Sequence, residues 1–191
     1  MRKTCIRSLS FLAVLVLLLV CPDHSRGAYA QEVGLPDIVQ TQVPSPLKEI
    51  GSGVYRKFGF SIYRASLWSG GSVWDAGKPF ALELRYMHGL SKSTLVDTVM
   101  DDIKEQNIAD EETMSRWGKI LDEALPAVED GDTIIGVAVS KRLSLLFYNG
   151  SKIATITEPA LSQAFFNIWL GQGANEDLRR KLLRQTEYTA E

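Results

Sequence analysis

The stretch GSGVYRKFGFSIYRASLW, residues 51–68, has the apolar and aromatic density of a sheet core. Its pattern predicts two strands, over about 48–58 and 60–68, that are joined by a tight turn. Because Gly59 can adopt a positive φ, Gly59-Phe60 fits a two-residue type II′ turn, which takes glycine at its first central position. The stretch therefore predicts an antiparallel hairpin.

The predicted turn decides which side chains meet on each face of this hairpin. It sets Arg56 directly opposite Tyr63, and cross-strand partners share one face of a sheet. That face is the more apolar one, and Arg56 is its single charge; its members are Val54, Arg56, Phe58, Ser61, Tyr63, Ala65 and Leu67. A buried guanidinium without an anion is strongly destabilising. Arg56 therefore reaches water at the sheet edge, pairs with a distant carboxylate, or binds an anionic ligand.

The rest of the chain alternates between strand and helix patterns. FALELRYM indicates a half-buried strand at 80–87, and two helices follow, with caps at Ser91 or Ser93 and at Asp110. Further strands are predicted at 133–140, 143–148 and 152–156, and further helices in PALSQAFFNIWLG and NEDLRRKLLRQ. Since tight turns join the strands, we expect a largely antiparallel sheet packed against helices in a single α+β domain.

Residues 1–30 predict a cleaved signal peptide. A basic start is followed at 11–20 by the apolar run FLAVLVLLLV, which is too short to span a bilayer, and an A-x-A pattern stands at 28–30. The mature protein would begin at Gln31 and would be periplasmic or secreted. No transmembrane segment is expected after cleavage.

The mature chain is predicted to have a flexible lead-in over 31–46, which is rich in proline, and one folded domain over 47–188. Cys5 and Cys21 both lie in the predicted signal peptide. The mature protein would therefore have no disulfide and no cysteine-based metal site.

Several classes of chemistry are excluded by what the chain lacks. His88 is the one histidine of the predicted mature part, so neither a zinc site nor a serine triad is expected. The acidic runs at 101–102 and 110–112 are typical of a solvated helix face and a helix start. The 21 basic residues are scattered among 23 acidic ones, which argues against nucleic-acid binding. We expect no metal and no cofactor.

The chain resembles the bacterial chalcone isomerase-like proteins, over about residues 46–186. The resemblance rests on the stretch at 51–68 and on FALELRYM, DGDTIIG, LSLLFYNGSKIATI, FFNIWLG and LRRKLL. It implies an antiparallel sheet backed by helices, with a ligand cleft between the two layers.

The resemblance implies binding more readily than catalysis. In chalcone isomerases an arginine after the G-x-G strand polarises the substrate, and Arg56 matches it. The other polar positions of those enzymes fall at Tyr63, near Leu95 and Asp102, and near Ile168, so most of that polar set is absent. Fatty-acid-binding members pair this arginine with a tyrosine of the next strand to hold a carboxylate, which is similar to Arg56 and Tyr63.

The leading prediction is an exported protein that does not act on chalcones and that binds a small amphipathic acid such as a fatty acid. Its predicted ligand-binding residues are Arg56, Tyr63, Tyr86 and Asp102. One alternative is an isomerase or lyase acting on a conjugated ketone, with Arg56 stabilising an oxyanion and Tyr63 or Tyr86 as the acid. The other is a scaffold whose cleft is filled by its own side chains, which predicts no pocket beneath the hairpin.

Overall fold

The computed structural model describes residues 34–185. In this range, six strands form one sheet, and each strand pairs antiparallel with the next along the chain. The strands are β1 (Lys48–Lys57), β2 (Phe60–Ser69), β3 (Phe80–Tyr86), β4 (Thr133–Ser140), β5 (Leu143–Tyr148) and β6 (Ser151–Ile156). The helices are α1 (Asp37–Gln40), α2 (Lys92–Lys104), α3 (Glu111–Ala124), α4 (Pro159–Leu170) and α5 (Glu176–Leu182). This architecture confirms the predicted single-domain α+β fold.

The β1–β2 hairpin turns one residue earlier than the sequence predicts. Phe58 and Gly59 form its two-residue loop, with φ of 52° and 85°, as in a type I′ turn. Lys57 therefore pairs with Phe60, and the predicted type II′ turn at Gly59-Phe60 is wrong. Asparagine-glycine is the usual pair in a type I′ turn. Because phenylalanine stands in the first position, the sequence does not indicate a turn of this type.

A β-bulge then shifts the register of the hairpin. Tyr55 pairs with Tyr63, whereas Arg56 pairs with Ser61, which leaves Ile62 as the extra residue. Arg56 and Tyr63 are therefore not cross-strand partners, and that prediction is wrong.

The helices α2 to α5 pack on one face of the sheet, where the larger core lies. Side-chain caps start α2 and α3 as predicted: Ser91 accepts from the backbone N–H of Thr94, and Asp110 accepts from that of Thr113. Amphipathic stripes turn their apolar side chains to the sheet. The core includes Leu67, Leu82, Trp117, Leu121, Leu146, Leu161 and Phe165.

Gly51 and Gly53 allow α5 to lie directly on β1. A Cβ atom at Gly51 would collide with the backbone oxygens of Lys181 and Leu182, and one at Gly53 would lie 3.0 Å from a side-chain carbon of Leu178. The G-x-G pattern therefore serves the close packing of a helix on a strand.

The opposite face of the sheet is covered by the segment before β1. Leu35, Val39 and Leu47 are buried against a second apolar cluster that contains Trp68 and Phe147. The side chain of Gln40 also exchanges two hydrogen bonds with the backbone of Leu47. The sequence predicted a flexible lead-in, but the structure packs residues 34–47 as the cover of this face.

Within the described range, no helix is long and apolar enough to cross a membrane. The same residues hold no group of three or more His, Cys, Asp or Glu side chains that could bind a metal. The predicted signal peptide at 1–30, both cysteines and the predicted start at Gln31 lie outside the described residues.

Candidate ligand-binding site

A cavity of about 570 Å³ lies between the helix-covered face of the sheet and helices α2 and α4, and the α4–α5 loop borders it. Its walls are mainly apolar, and they include Leu84, Leu95, Val99, Ile134, Phe165 and Ile168. Exposed lining residues mark where it meets solvent: Lys57, Thr98, Glu105, Ile108 and Gln172. This cavity differs from the filled cleft, with no pocket beneath the hairpin, that the scaffold alternative predicted.

Three tyrosines form a row across β1, β2 and β3 on the cavity wall. Tyr55 stacks on Tyr63 with ring centroids 5.1 Å apart, and Tyr86 meets Tyr63 edge to face at 5.9 Å. Tyr63 is the cross-strand partner of both other tyrosines, so all three rings share one face of the sheet. The row fixes the ring of Tyr63 from both sides.

Trp169 on α4 donates its indole N–H to the hydroxyl oxygen of Tyr63 at 2.9 Å. Burial raises the pKa of Tyr63, although this hydrogen bond acts in the opposite direction because it favours the phenolate. At neutral pH the hydroxyl therefore keeps its proton. The hydroxyl donates this proton to none of the residues 34–185, so the proton is available to a ligand.

Tyr86 presents a second hydroxyl to the same cavity. The residue is 2% exposed and lines the cavity, and burial raises its pKa. Its hydroxyl has no hydrogen-bond partner among the residues that the structure describes. The hydroxyl therefore borders the cavity with its proton free, and a bound molecule that accepts this hydrogen bond would gain about 0.5–1.5 kcal/mol.

Asp102 reaches the cavity from α2. It lies on the side of the helix that also turns Leu95 and Val99 to the cavity, at helical spacing. Burial, and then the charge of Glu105, raise the pKa of this half-buried carboxyl, while Lys57 lowers it. The carboxyl of Asp102 therefore keeps its proton to a higher pH than an exposed aspartate.

Lys57 brings a positive charge to the rim of the cavity. Among the described residues that line the cavity, it is the only lysine or arginine. It lies two residues beyond Tyr55 on β1, and alternate residues of a strand share a face. Sequence reasoning missed it because the wrong turn placed Lys57 on the face opposite Tyr63. The alternation of Tyr55 and Lys57 could have indicated it.

Gln106 is a second cavity residue that the sequence did not single out. Its side-chain amide donates a hydrogen bond to the backbone carbonyl of Ala164 at 2.9 Å, which links the turn after α2 to α4. Its side-chain oxygen is buried and has no partner within the described part of the chain. Its position four residues after Asp102 is the pattern that could have pointed to it.

Arg56, on which the sequence-based site depended, is exposed and pairs with Ser61. It does not occur among the described residues that line the cavity. The alternation of β1 sets it on the face opposite Tyr55 and Lys57, and its exposure agrees with the expectation of an arginine that reaches water. The structure thus brings together Tyr63, Tyr86 and Asp102 of the predicted set, but not Arg56.

Comparisons with known proteins agree with this architecture. A family profile described as "chalcone isomerase-like" matches residues 28–184. The fold is similar to the crystal structure of a fatty-acid binding protein of Arabidopsis thaliana, AtFAP1, with a TM-score of 0.57 and 11% sequence identity. The similarity covers 79% of this chain and 89% of that one; at such identity it concerns the fold alone. No curated protein matches this sequence.

Proposed function

Because the chain belongs to the chalcone isomerase-like family, we propose that it binds a small amphipathic acid, such as a fatty acid, between its sheet and its helices. The observation that carries this proposal is the apolar cavity of about 570 Å³ with a phenol hydroxyl that lacks a partner among the described residues. Its volume lies within the roughly 300–1,000 Å³ that is usual for ligand pockets. The name of the Arabidopsis protein of similar fold supports the same class of ligand.

The acid group of such a ligand would lie near Tyr63 and Tyr86. Both hydroxyls are neutral donors at physiological pH, and a carboxylate accepts such hydrogen bonds strongly. Lys57 at the rim contributes a positive charge. When Asp102 is ionised, it repels an ionised ligand. Binding is therefore most favourable when either Asp102 or the acid group of the ligand carries a proton.

The experiment is a calorimetric titration of lipid-free protein with dodecanoic acid, and separately with dodecanol, which lacks the acid group. We expect saturable binding of dodecanoate at one site. Tyr86→Phe should weaken it about fivefold, which corresponds to roughly 1 kcal/mol for one hydrogen bond.

Tyr148→Phe is the matched control, because Tyr148 donates its hydroxyl to Asp132 at 2.7 Å and does not occur among the described lining residues. It should bind dodecanoate as the wild type does. Absence of saturable binding by the wild-type protein, or equal affinity of Tyr86→Phe and wild type, would contradict the proposal.

The isomerase or lyase alternative is less well supported. It assigned oxyanion stabilisation to Arg56, and this exposed side chain does not occur among the described residues of the cavity wall. Tyr86 could still serve as an acid, but a proton donor without its oxyanion partner is a weaker basis for catalysis. We therefore propose binding rather than turnover.

We also propose that the protein is exported to the periplasm or beyond the cell. The basic, apolar and A-x-A segments in residues 1–30 support this. Mass spectrometry of the protein recovered from the extracytoplasmic fraction should give Gln31 as the first residue. Recovery of the chain in the cytoplasm, with residues 1–30 still present, would contradict export.

A further inference from the structure

The tip of the β1–β2 hairpin, residues 56–61, exposes two aromatic rings. Phe58 is 90% exposed and Phe60 is 64% exposed. Met87, which follows β3, is 47% exposed and lies beside the hairpin, since its backbone N–H donates to Ile62 at 2.9 Å. These side chains form an apolar surface at one end of the sheet.

Phe58 is unfavourable in its position for two independent reasons. Its φ of 52° belongs to the left-handed region, which is disfavoured for bulky residues and which asparagine or glycine adopts readily. Its ring is also almost fully in water, where its one described ring contact is with the Lys57 ammonium at 5.9 Å. Asparagine would make a better turn, so the backbone preference of the turn does not explain the phenylalanine.

Positive charge accompanies these rings. Arg56 and Lys57 directly precede Phe58 and are exposed. The carboxylate that interacts with Lys57, that of Asp102, lines the cavity. Aromatic rings with adjacent cations suit the interface of an anionic membrane, where rings enter the acyl boundary and cations meet the headgroups.

We propose that the hairpin tip inserts Phe58 and Phe60 into an anionic lipid surface, with Arg56 and Lys57 at the headgroups. Lys57 and Ile62 of the same hairpin line the cavity, so docking brings the cavity opening to the lipid. An amphipathic acid can then pass between membrane and cavity without crossing water. This exchange rests on the proposed function, whereas docking does not.

The test is co-sedimentation of the protein with vesicles of phosphatidylcholine, either alone or mixed with phosphatidylglycerol. The wild-type protein should sediment with the mixed vesicles and lose this binding in high salt. Phe58→Asn creates an asparagine-glycine turn, so it should melt at or above the wild-type temperature. It should nevertheless bind mixed vesicles about tenfold less, because one ring no longer leaves water.

Val73→Asn is the control, since Val73 is 78% exposed in the β2–β3 loop, at the other end of the strands. It should bind vesicles as the wild type does. Arg56→Ala should weaken binding to mixed vesicles only. No sedimentation of the wild type with mixed vesicles, or equal binding by Phe58→Asn, would overturn the proposal.

The dodecanoate titration without vesicles separates the two proposals. Dodecanoate binding without vesicle binding would remove the docking role and leave the proposed function. Vesicle binding without dodecanoate binding would leave docking and remove the exchange of an acid.

Discussion

Trp169 of α4 holds Tyr63 of β2 through a single hydrogen bond of 2.9 Å between the indole N–H and the phenol oxygen. The bond joins the helix layer to the sheet at the wall of the cavity. Tyr86, which meets Tyr63 edge to face, has no such partner within residues 34–185. Two neighbouring phenols of the same chemical type therefore differ. Tyr63 joins the two layers and can also donate its proton to a ligand, whereas the Tyr86 hydroxyl is available to a ligand alone.

This difference predicts that Tyr63→Phe is more destabilising than Tyr86→Phe. Removing the Tyr63 hydroxyl leaves the indole N–H of Trp169 buried without an acceptor, which lowers the free energy of unfolding by about 1–3 kcal/mol. Tyr86→Phe removes a hydroxyl that has no protein partner in the described structure, so we expect little change or a small gain. Urea unfolding of both variants measures this, and equal losses would show that the Trp169 bond does not contribute.

The two cations of the hairpin should differ in their effect on ligand binding in solution. Arg56→Ala should leave the dodecanoate affinity unchanged in the absence of vesicles, because Arg56 is exposed and pairs with Ser61. Lys57→Ala should weaken that affinity by up to about fivefold, the range of an exposed charge pair. Calorimetry at low and high salt measures both. A larger loss in Arg56→Ala than in Lys57→Ala would restore the arginine site that the sequence predicted.

The sequence predicts the elements of this fold well because their signals are local. Ser91 and Asp110 cap α2 and α3 where the pattern put them. Alternation in FALELRYM predicted the strand β3, although the structure buries both of its faces and not one. Tight turns between strands are enough to predict an antiparallel sheet. Tyr63, Tyr86 and Asp102 could therefore be assigned to strand and helix positions near a cleft.

The hairpin register could not be predicted, because it depends on a turn residue with an unfavourable backbone conformation. Phe58 adopts φ of 52°, and no propensity rule assigns a phenylalanine to that position. A one-residue shift exchanges the faces of every side chain up to the next bulge. That shift moved Arg56 out of the site and Lys57 into it.

The segment before β1 escaped prediction for a different reason. Its three prolines favour an irregular chain, and α1 spans four residues only. Yet Val39 is fully buried against the sheet. Tertiary contacts fix this segment, and local sequence does not report them.

Replacing Asp102 should make the protein more stable at neutral pH. The folded-state pKa of Asp102 lies above its ordinary value of 3.8, chiefly because of burial. The ionised form is therefore disfavoured on folding, and this unfavourable contribution is present above the raised pKa and disappears as pH falls below 3.8. Asp102→Asn should exceed the wild type in melting temperature at pH 7, and the difference should shrink toward pH 4. A difference that grows as pH falls would contradict the direction of the pKa shift.

The same substitution should change the pH dependence of ligand binding. Ionised Asp102 repels a carboxylate, so wild-type affinity for dodecanoate should rise as pH falls and Asp102 takes up its proton. Asp102→Asn should bind dodecanoate more tightly at pH 7 by about 1 kcal/mol, the screened interaction of two charges ~4 Å apart. Asp101→Asn, on the exposed side of α2, should change this affinity less. Dodecanol affinity should not depend on pH through Asp102.

Gly51 links the packing of α5 to the shape of the cavity. A Cβ atom at this position would collide with the backbone of Leu182, and a helix backbone cannot move aside as a flexible side chain can. Gly51→Ala should therefore push α5 away from β1 and lower the free energy of unfolding by about 1–3 kcal/mol. Because Leu178 of α5 lines the cavity, dodecanoate affinity should fall as well. Gly70→Ala is the control, since no atom lies within 4 Å of its added carbon, and wild-type stability in Gly51→Ala would show that the contact is not tight.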